Sequence, residues 1–394
     1  MLLKYLILLS ALQPILRCST SNRNNVCTTF RDYYNPDGNK NCYYDPDTTL
    51  EIPAIIQKYA NALEIHKVIT NDGYILTLFR IPRTNPKGVI LLHHSIATHS
   101  QIYLWQGNQS LAITLWRNGF DVWLANQRGT SYSDKHVTLS IHDFRYWNFY
   151  IQEMGLYDVS AEIKLIREKT NGRKVIFFGH SLGSAIGLVY SSLKVEEAKN
   201  YLKSMILLAP PCYFEHVTSV IILFKHFVPV LEAFTNTLRM GSPLIILPFL
   251  LPISRVILRL FPAVLFVTFF NYDAAIYGNN FSWKTIIHFL QLATLNHRFQ
   301  MYDYGKERNM KIYGEEIPPL YPIGKISVPT LIVSSDNDSL ITQQDSESLF
   351  KELSSEAKVH GHWKLSRLNH LDYHIGLHRK EIFMNDLLTF LNNL

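Results

Sequence analysis

Residues 174–187 read KVIFFGHSLGSAIG. An apolar run from Val175 to Phe178 leads into Gly179-His180-Ser181-Leu182-Gly183, and small residues with helical spacing follow. Unbroken apolar runs suit strands covered on both faces, as in a parallel sheet. A G-x-S-x-G set between such a strand and a helix marks a sharp turn that lifts a serine hydroxyl above the carboxyl edge of the sheet. Glycines two positions either side let strand and helix approach closely. The helix N-terminus then aims N–H groups at developing negative charge. Alone, the five-residue pattern is weak, and an ordinary strand-to-helix turn is the competing reading. In this setting Ser181 is the candidate nucleophile.

Strand-like and helix-like stretches alternate on both sides of it. YILTLFRIP and GVILLHHS read as strands, LAITLWRNGF as a helix closed by Gly119, and DVWLANQRG as a strand with its loop. YDVSAEIKLIREKT is an amphipathic helix with Val159, Ile163, Leu165 and Ile166 on one side and charges opposite. After Ser181 come a helix (SAIGLVYSSL), a strand (MILLAP) and, much later, PTLIVSS, a helix around SESLFKEL, a further strand within AKVHGHWKL and a last helix from near Lys380. Such alternation predicts an α/β fold, a mostly parallel central sheet flanked by helices. The intervening region, 211–321, is rich in Phe, Leu, Ile and Pro. Pro243, Pro248, Pro252, Pro262, Arg255 and Arg259 interrupt every window near the roughly 20 apolar residues that a membrane span requires. A helical insertion over the sheet is the better reading.

A serine nucleophile needs a base and a group to orient that base. In this chain order the acid follows the serine and the histidine follows the acid. PTLIVSSDNDSLIT offers Asp336 and Asp338 at the end of a strand, with Asp338 favoured, although Asp-Asn-Asp is also good turn chemistry. HGHWKLSRLNHLDYHIGLH offers His360, His362, His370, His374 and His378, of which His370 stands in a polar loop between the last strand and the last helix. Spacing alone does not choose among them. A metal cluster is disfavoured because no Cys/His spacing suggests one, and no cofactor is called for.

The 394 residues are 47% apolar with a formal charge of +6, and the Lys and Arg residues are scattered without a basic block. That composition is globular and gives no support to a nucleic-acid partner. MLLKYLILLSALQPILRCSTS has the layout of a secretory leader, with an apolar run too short to span a bilayer. Cleavage is expected near Cys18 to Ser21. In an oxidising compartment Cys27 and Cys42 can pair, leaving Cys212 odd. Asn108-Gln-Ser, Asn280-Phe-Ser and Asn337-Asp-Ser are glycosylation triplets, the last too near Asp338 to be expected in use.

Taken together, DGYILTLFRIP, GFDVWLANQRGTSYSDKHVTLS, YWNFYIQEMGLYDVSAEI, GHSLG, DND and NHLDY resemble the acid lipase family, the gastric and lysosomal acid lipases and their invertebrate relatives. The resemblance runs from about Glu51 to the C-terminus and is weakest in the middle region. It implies an α/β-hydrolase fold with an inserted helical cap, acting on esters of neutral lipids such as triacylglycerol or cholesteryl ester, in lysosomes or secretions. The expected layout is a leader at 1–20, an extension at 21–50, core at 51–210, cap at 211–321 and core at 322–394. By position, Ser181 resembles the nucleophile, Asp338 the acid and His370 the base. Where relatives carry Gln-His-Gly-Leu, this chain has His93-His94-Ser95-Ile96. The resemblance therefore implies backbone N–H groups of Ile96 and Leu182 as an oxyanion hole, with His94 positioning the loop. Ser95 in place of glycine is expected either to strain that loop or to add a donor. The expected partner is a lipid ester at an oil–water or membrane interface, with no transmembrane anchor. Rival readings are an esterase of small soluble esters and a non-catalytic lipid carrier on the same fold.

Overall fold

The computed structural model describes residues 24, 26–27, 32, 35–217, 227–242, 280–295, 297–376 and 378–394. The expected leader and the Pro-interrupted apolar run at 243–279 lie outside these. Near the N-terminus, β1 (Val26–Cys27) and β2 (Cys42–Tyr43) form an antiparallel ribbon closed by a Cys27–Cys42 disulfide. Helix α1 (Ile52–Ala60) follows and buries Ile52, Ile55 and Ile56.

The central sheet uses β3 (Glu64–Ile69), β4 (Tyr74–Ile81), β5 (Val89–His93), β6 (Asp121–Ala125), β7 (Lys135–His136), β8 (Val175–His180), β9 (Leu202–Leu208), β10 (Thr330–Ser335) and β11 (His362–Leu365). Its order is β11-β10-β9-β8-β5-β6-β4-β3, with β7 against β4. All five pairs from β6 across to β11 are parallel, while β3, β4 and β7 add three antiparallel pairs at the other edge. Every residue of β5, β6, β8 and β10 is buried, as a strand with a helix on each face requires.

The longer helices and the short one after His370 are α2 (Leu111–Arg117), α3 (Ser160–Lys169), α4 (Leu182–Leu193), α5 (Val195–Tyr201), α6 (Val228–Thr237), α7 (Trp283–Thr294), α8 (Lys306–Tyr313), α9 (Gln343–Glu352), α10 (Asp372–Ile375) and α11 (Asn385–Asn392), with single turns such as Ile151–Glu153 between them. Two features of α3 depart from its sequence reading. The turn before it, Met154–Val159, is wound as a π-helix. Glu162 lies on the buried face with Val159, Ile163 and Ile166, whereas Leu165 is only partly buried.

Among the described residues 211–321, α6 and α7 pack together, and Val228, Ile287, Leu290 and Tyr302 form an apolar cluster with Tyr150, separate from the main core. Gly241, shortly after α6, and Ser282, just before α7, both meet Trp147. The Ser282 hydroxyl donates to its carbonyl oxygen at 2.6 Å, and a Cβ on Gly241 would stand 2.1 Å from its ring.

Candidate active site

Ser181 stands between β8 and α4 with φ 52° and ψ −118°, a backbone conformation that costs an L-residue free energy and persists only where its surroundings impose it. The constraint comes from close approach on both sides. A Cβ on Gly179 would lie 2.6 Å from the Gly183 carbonyl carbon, and one on Gly183 would lie 2.2 Å from the His93 carbonyl oxygen. Any side chain at either position forces β8, α4 and the end of β5 apart. The Ser181 N–H donates to the Leu208 carbonyl at 2.9 Å, which fixes the turn to β9. Leu182 and Gly183 open α4, so their N–H groups have no acceptor in a preceding helical turn.

Asp338 and His370 come together beyond β10 and β11. The His370 Nδ1 lies 2.8 Å from Asp338 Oδ2, and both side chains are almost completely buried. Asp338 Oδ1 accepts the N–H groups of Leu340 and Ile341 at 2.9 and 3.0 Å, so the carboxylate cannot swing away. Asp336, the rival acid, is exposed and accepts the Arg367 N–H at 2.9 Å. With Nδ1 directed at a carboxylate, a neutral His370 carries its proton there and leaves Nε2 an acceptor. That Nε2 is buried and has no hydrogen-bond partner among the described residues. The other four histidines stand elsewhere. His360 and His362 are near α11 and β10, His378 is exposed, and His374 is buried against Tyr103 and His180.

His180, the variable residue of the serine motif, contributes more than its place in a pattern suggests. Its Nε2–H donates to the His370 carbonyl oxygen at 2.8 Å, and the two rings are 4.8 Å apart. The residue before Ser181 thus holds the backbone of the candidate base.

The loop after β5 is ordered by side chains of its own. His94 Nε2 accepts the Gln127 N–H at 3.1 Å, so Nδ1 carries the proton and donates to the Ser95 carbonyl at 2.8 Å. Gln127 Nε2 returns a bond to the His94 carbonyl at 2.6 Å, and the Thr98 hydroxyl donates to the Ser95 carbonyl. The positive φ of this loop, 60°, falls on Ala97, and Ser95 is not among the residues with positive φ. Ser95 is therefore not strained. Its hydroxyl lies 3.2 Å from that of Thr98. Ser95→Gly is accordingly expected to change kcat by no more than a few-fold, as is Ile96→Leu, because neither change removes a backbone N–H from the loop. Steady-state kinetics on a soluble ester check this; a loss of about 10²-fold or more in Ser95→Gly would make its hydroxyl an oxyanion donor.

Two buried charge clusters lie outside the sequence reading given above. His93 Nε2 and Glu162 Oε2, both fully buried, lie 2.5 Å apart beneath the loop. Arg128 is buried between Asp158 and Asp72 and stacks 3.9 Å from the centre of the Tyr74 ring. Glu162 was detectable: its spacing from Val159 and Ile166 places it on the apolar face of α3.

Burial also sets a pH dependence. It pushes His94 and His374 down to about 3 and His180 well below its ordinary value. In the unfolded chain these rings titrate near 6.5. As pH falls through that value, protons bind the unfolded chain and not the folded one. Stability is therefore fully present above about 6.5 and declines in acid, by about 1.4 kcal/mol per pH unit for each such histidine. The urea midpoint should fall between pH 7 and pH 5, and His374→Phe should make that fall shallower. A pH-independent midpoint would contradict this account.

Comparison with known proteins agrees with this architecture. Residues 88–239 match the family model described as alpha/beta hydrolase fold, and residues 52–107 match the partial alpha/beta-hydrolase lipase region. The chain is 30% identical to Lipase member K of Homo sapiens over 375 residues, spanning 88% of this chain and 92% of that relative. It is 27% identical to the gastric triacylglycerol lipase of Rattus norvegicus over 379 residues, or 88% and 93% of the two chains. A solved monoglyceride lipase from Saccharomyces cerevisiae superposes with a TM-score of 0.52 at 18% identity, covering 84% of this chain and 96% of that one. The fold is that of an α/β-hydrolase. The chain belongs to the acid lipase family, a family of carboxylic ester hydrolases.

Proposed function

We propose that the protein is a secreted or lysosomal lipase that hydrolyses carboxylic esters of neutral lipids, triacylglycerol or cholesteryl ester, through an acyl-enzyme. The observation that carries this reading is the strained Ser181 turn, whose neighbour His180 holds the backbone of a His370 ring paired through Nδ1 with a pinned Asp338. His370 Nε2 is left as a buried acceptor, not hydrogen-bonded to Ser181 Oγ in this structure. Ser181 Oγ attacks the ester carbonyl carbon while its proton passes to His370 Nε2. The N–H groups of Leu182 and Ile96 receive the developing oxyanion. His370, its imidazolium stabilised by Asp338, then protonates the departing alkoxide. Water repeats the sequence on the acyl-enzyme and releases the acid.

The lipid assignment is supported by one face of the α6 helix and its flanks, where Phe227, Val230, Phe234 and Leu238 are all exposed at i, i+3, i+7 and i+11. An exposed apolar stripe suits an oil or membrane surface and has no use in an esterase of small soluble substrates. A region at 211–321 acting as a cap over the site fits the same reading. Val230→Ser with Phe234→Ser is expected to reduce hydrolysis of emulsified triolein several-fold while leaving that of p-nitrophenyl butyrate nearly unchanged. Equal losses on both substrates would instead assign these side chains to the fold.

Entry into the secretory pathway is supported by the leader-like 1–20 stretch and by the Cys27–Cys42 disulfide, since such bonds persist in oxidising compartments. No described helix is long and apolar enough to cross a membrane.

A further inference from the structure

A cavity of about 330 Å³ opens between α2, with the turn before it, and the C-terminal segment that enters α11. It shares no lining residue with Ser181, Asp338 or His370. Three cations line it, Arg117, Arg379 and Lys380, with five amide side chains and no carboxylate. Arg379 is 3% exposed. Its Nε donates to Gln106 Oε1 at 2.7 Å and its Nη2 to the Gln109 carbonyl, while Nη1 is buried with no partner among the described residues.

Other buried or half-buried arginines are handled differently in this protein. Arg128 meets Asp158 and Asp72, and Arg80 meets Asp121 and Glu64. Leaving a desolvated cation without a counter-charge is costly, and proteins ordinarily pair it. Burial pushes the Arg379 guanidinium down to about 10, with no neighbouring carboxylate raising it.

We propose that this cavity is an anion-binding site whose ligand is a phosphate ester, with Arg379 at its base and Arg117 and Lys380 at its rim. Three positive side chains suit a doubly charged oxyanion, and guanidinium groups and amides are good donors to phosphate oxygens. The volume exceeds that of a bare phosphate and falls at the lower end of small-molecule pockets. Met384 and Leu388 are the apolar side chains in its lining, too few to hold an acyl chain. The phosphate therefore carries a compact polar body, either a soluble phosphate ester or a phospholipid headgroup.

The test is titration of the full chain with inorganic phosphate and with glycerol 3-phosphate, at constant ionic strength against chloride, by calorimetry and thermal shift. Saturable binding is expected. Arg117→Ala and Lys380→Ala, at exposed positions, should each weaken it by about three-fold. Arg379→Gln should weaken it by about ten-fold or more. The Arg117→Ala/Lys380→Ala double variant should retain hydrolysis of a soluble ester, which separates loss of this site from loss of the fold. Co-sedimentation with phosphatidylcholine vesicles, with and without phosphatidic acid, distinguishes the two sources. Capture that requires phosphatidic acid and is lost in the double variant assigns the site to a headgroup; binding of glycerol 3-phosphate without vesicle capture assigns it to a soluble ester. No saturable binding of either phosphate by the wild type, or binding undiminished in the double variant, overturns the proposal.

Discussion

Ser181→Ala should abolish ester hydrolysis, with kcat falling by roughly 10⁶-fold, the order seen when a triad nucleophile is removed. The folded chain should survive the change. Alanine tolerates the Ser181 backbone, with its φ of 52°, no worse than serine does, and the Ser181 N–H bond to Leu208 remains. On the proposed mechanism the effect is large because the hydroxyl that would form the acyl-enzyme is gone, while the backbone N–H groups proposed as oxyanion donors remain. Circular dichroism matching the wild type, with turnover at background, is the expected pair of results. A few per cent of residual activity in purified, folded protein would mean that another group attacks the ester.

Asp338→Asn should reduce kcat by about 10⁴-fold. An amide at this position keeps the shape of the carboxylate but no longer holds the Nδ1 proton of His370 or stabilises an imidazolium. Its remaining oxygen still accepts the Leu340 and Ile341 N–H groups, so the turn after β10 should persist. Asp336→Asn removes a charge from an exposed group whose partner is the Arg367 N–H and should change activity by no more than a few-fold. Measuring kcat/KM for both variants on one ester ranks them, and the reverse ranking assigns the acid to Asp336.

Much of the sheet can be read along the chain because its strands are continuous apolar runs and its helices have a clear apolar face. Val175–His180 and Thr330–Ser335 are examples, and each ends where a candidate site residue begins. The choice between Asp336 and Asp338 was not fully legible in that way. It depends on which carboxylate accepts the N–H groups two and three residues ahead and still faces a histidine 32 positions downstream. Ser95 misleads for a similar reason. A serine where the family resemblance implies glycine suggests strain, yet the left-handed residue of the loop is Ala97. The local hydrogen bonds of His94, Gln127 and Thr98 decide where the turn bends, and these cross from one strand end to another. The helical pattern puts the charges of α3 opposite its apolar face, yet Glu162 is buried there, because the pattern does not show that His93, 69 positions away, meets it in the interior. His180 occupies a variable position in a motif, and its bond to the His370 carbonyl joins residues 190 positions apart.

Reaction of the wild-type protein with a fluorophosphonate, followed by mass spectrometry of the labelled peptide, tests the central claim most directly. The reagent phosphonylates a serine whose proton a neighbouring base removes and whose product oxyanion is stabilised, so it reports the nucleophile, base and oxyanion hole in one step. Stoichiometric labelling of Ser181, abolished in Ser181→Ala and strongly slowed in Asp338→Asn, is the predicted result. A folded wild-type protein that does not react, or one labelled at another residue, would contradict the account and favour a lipid carrier on a hydrolase fold.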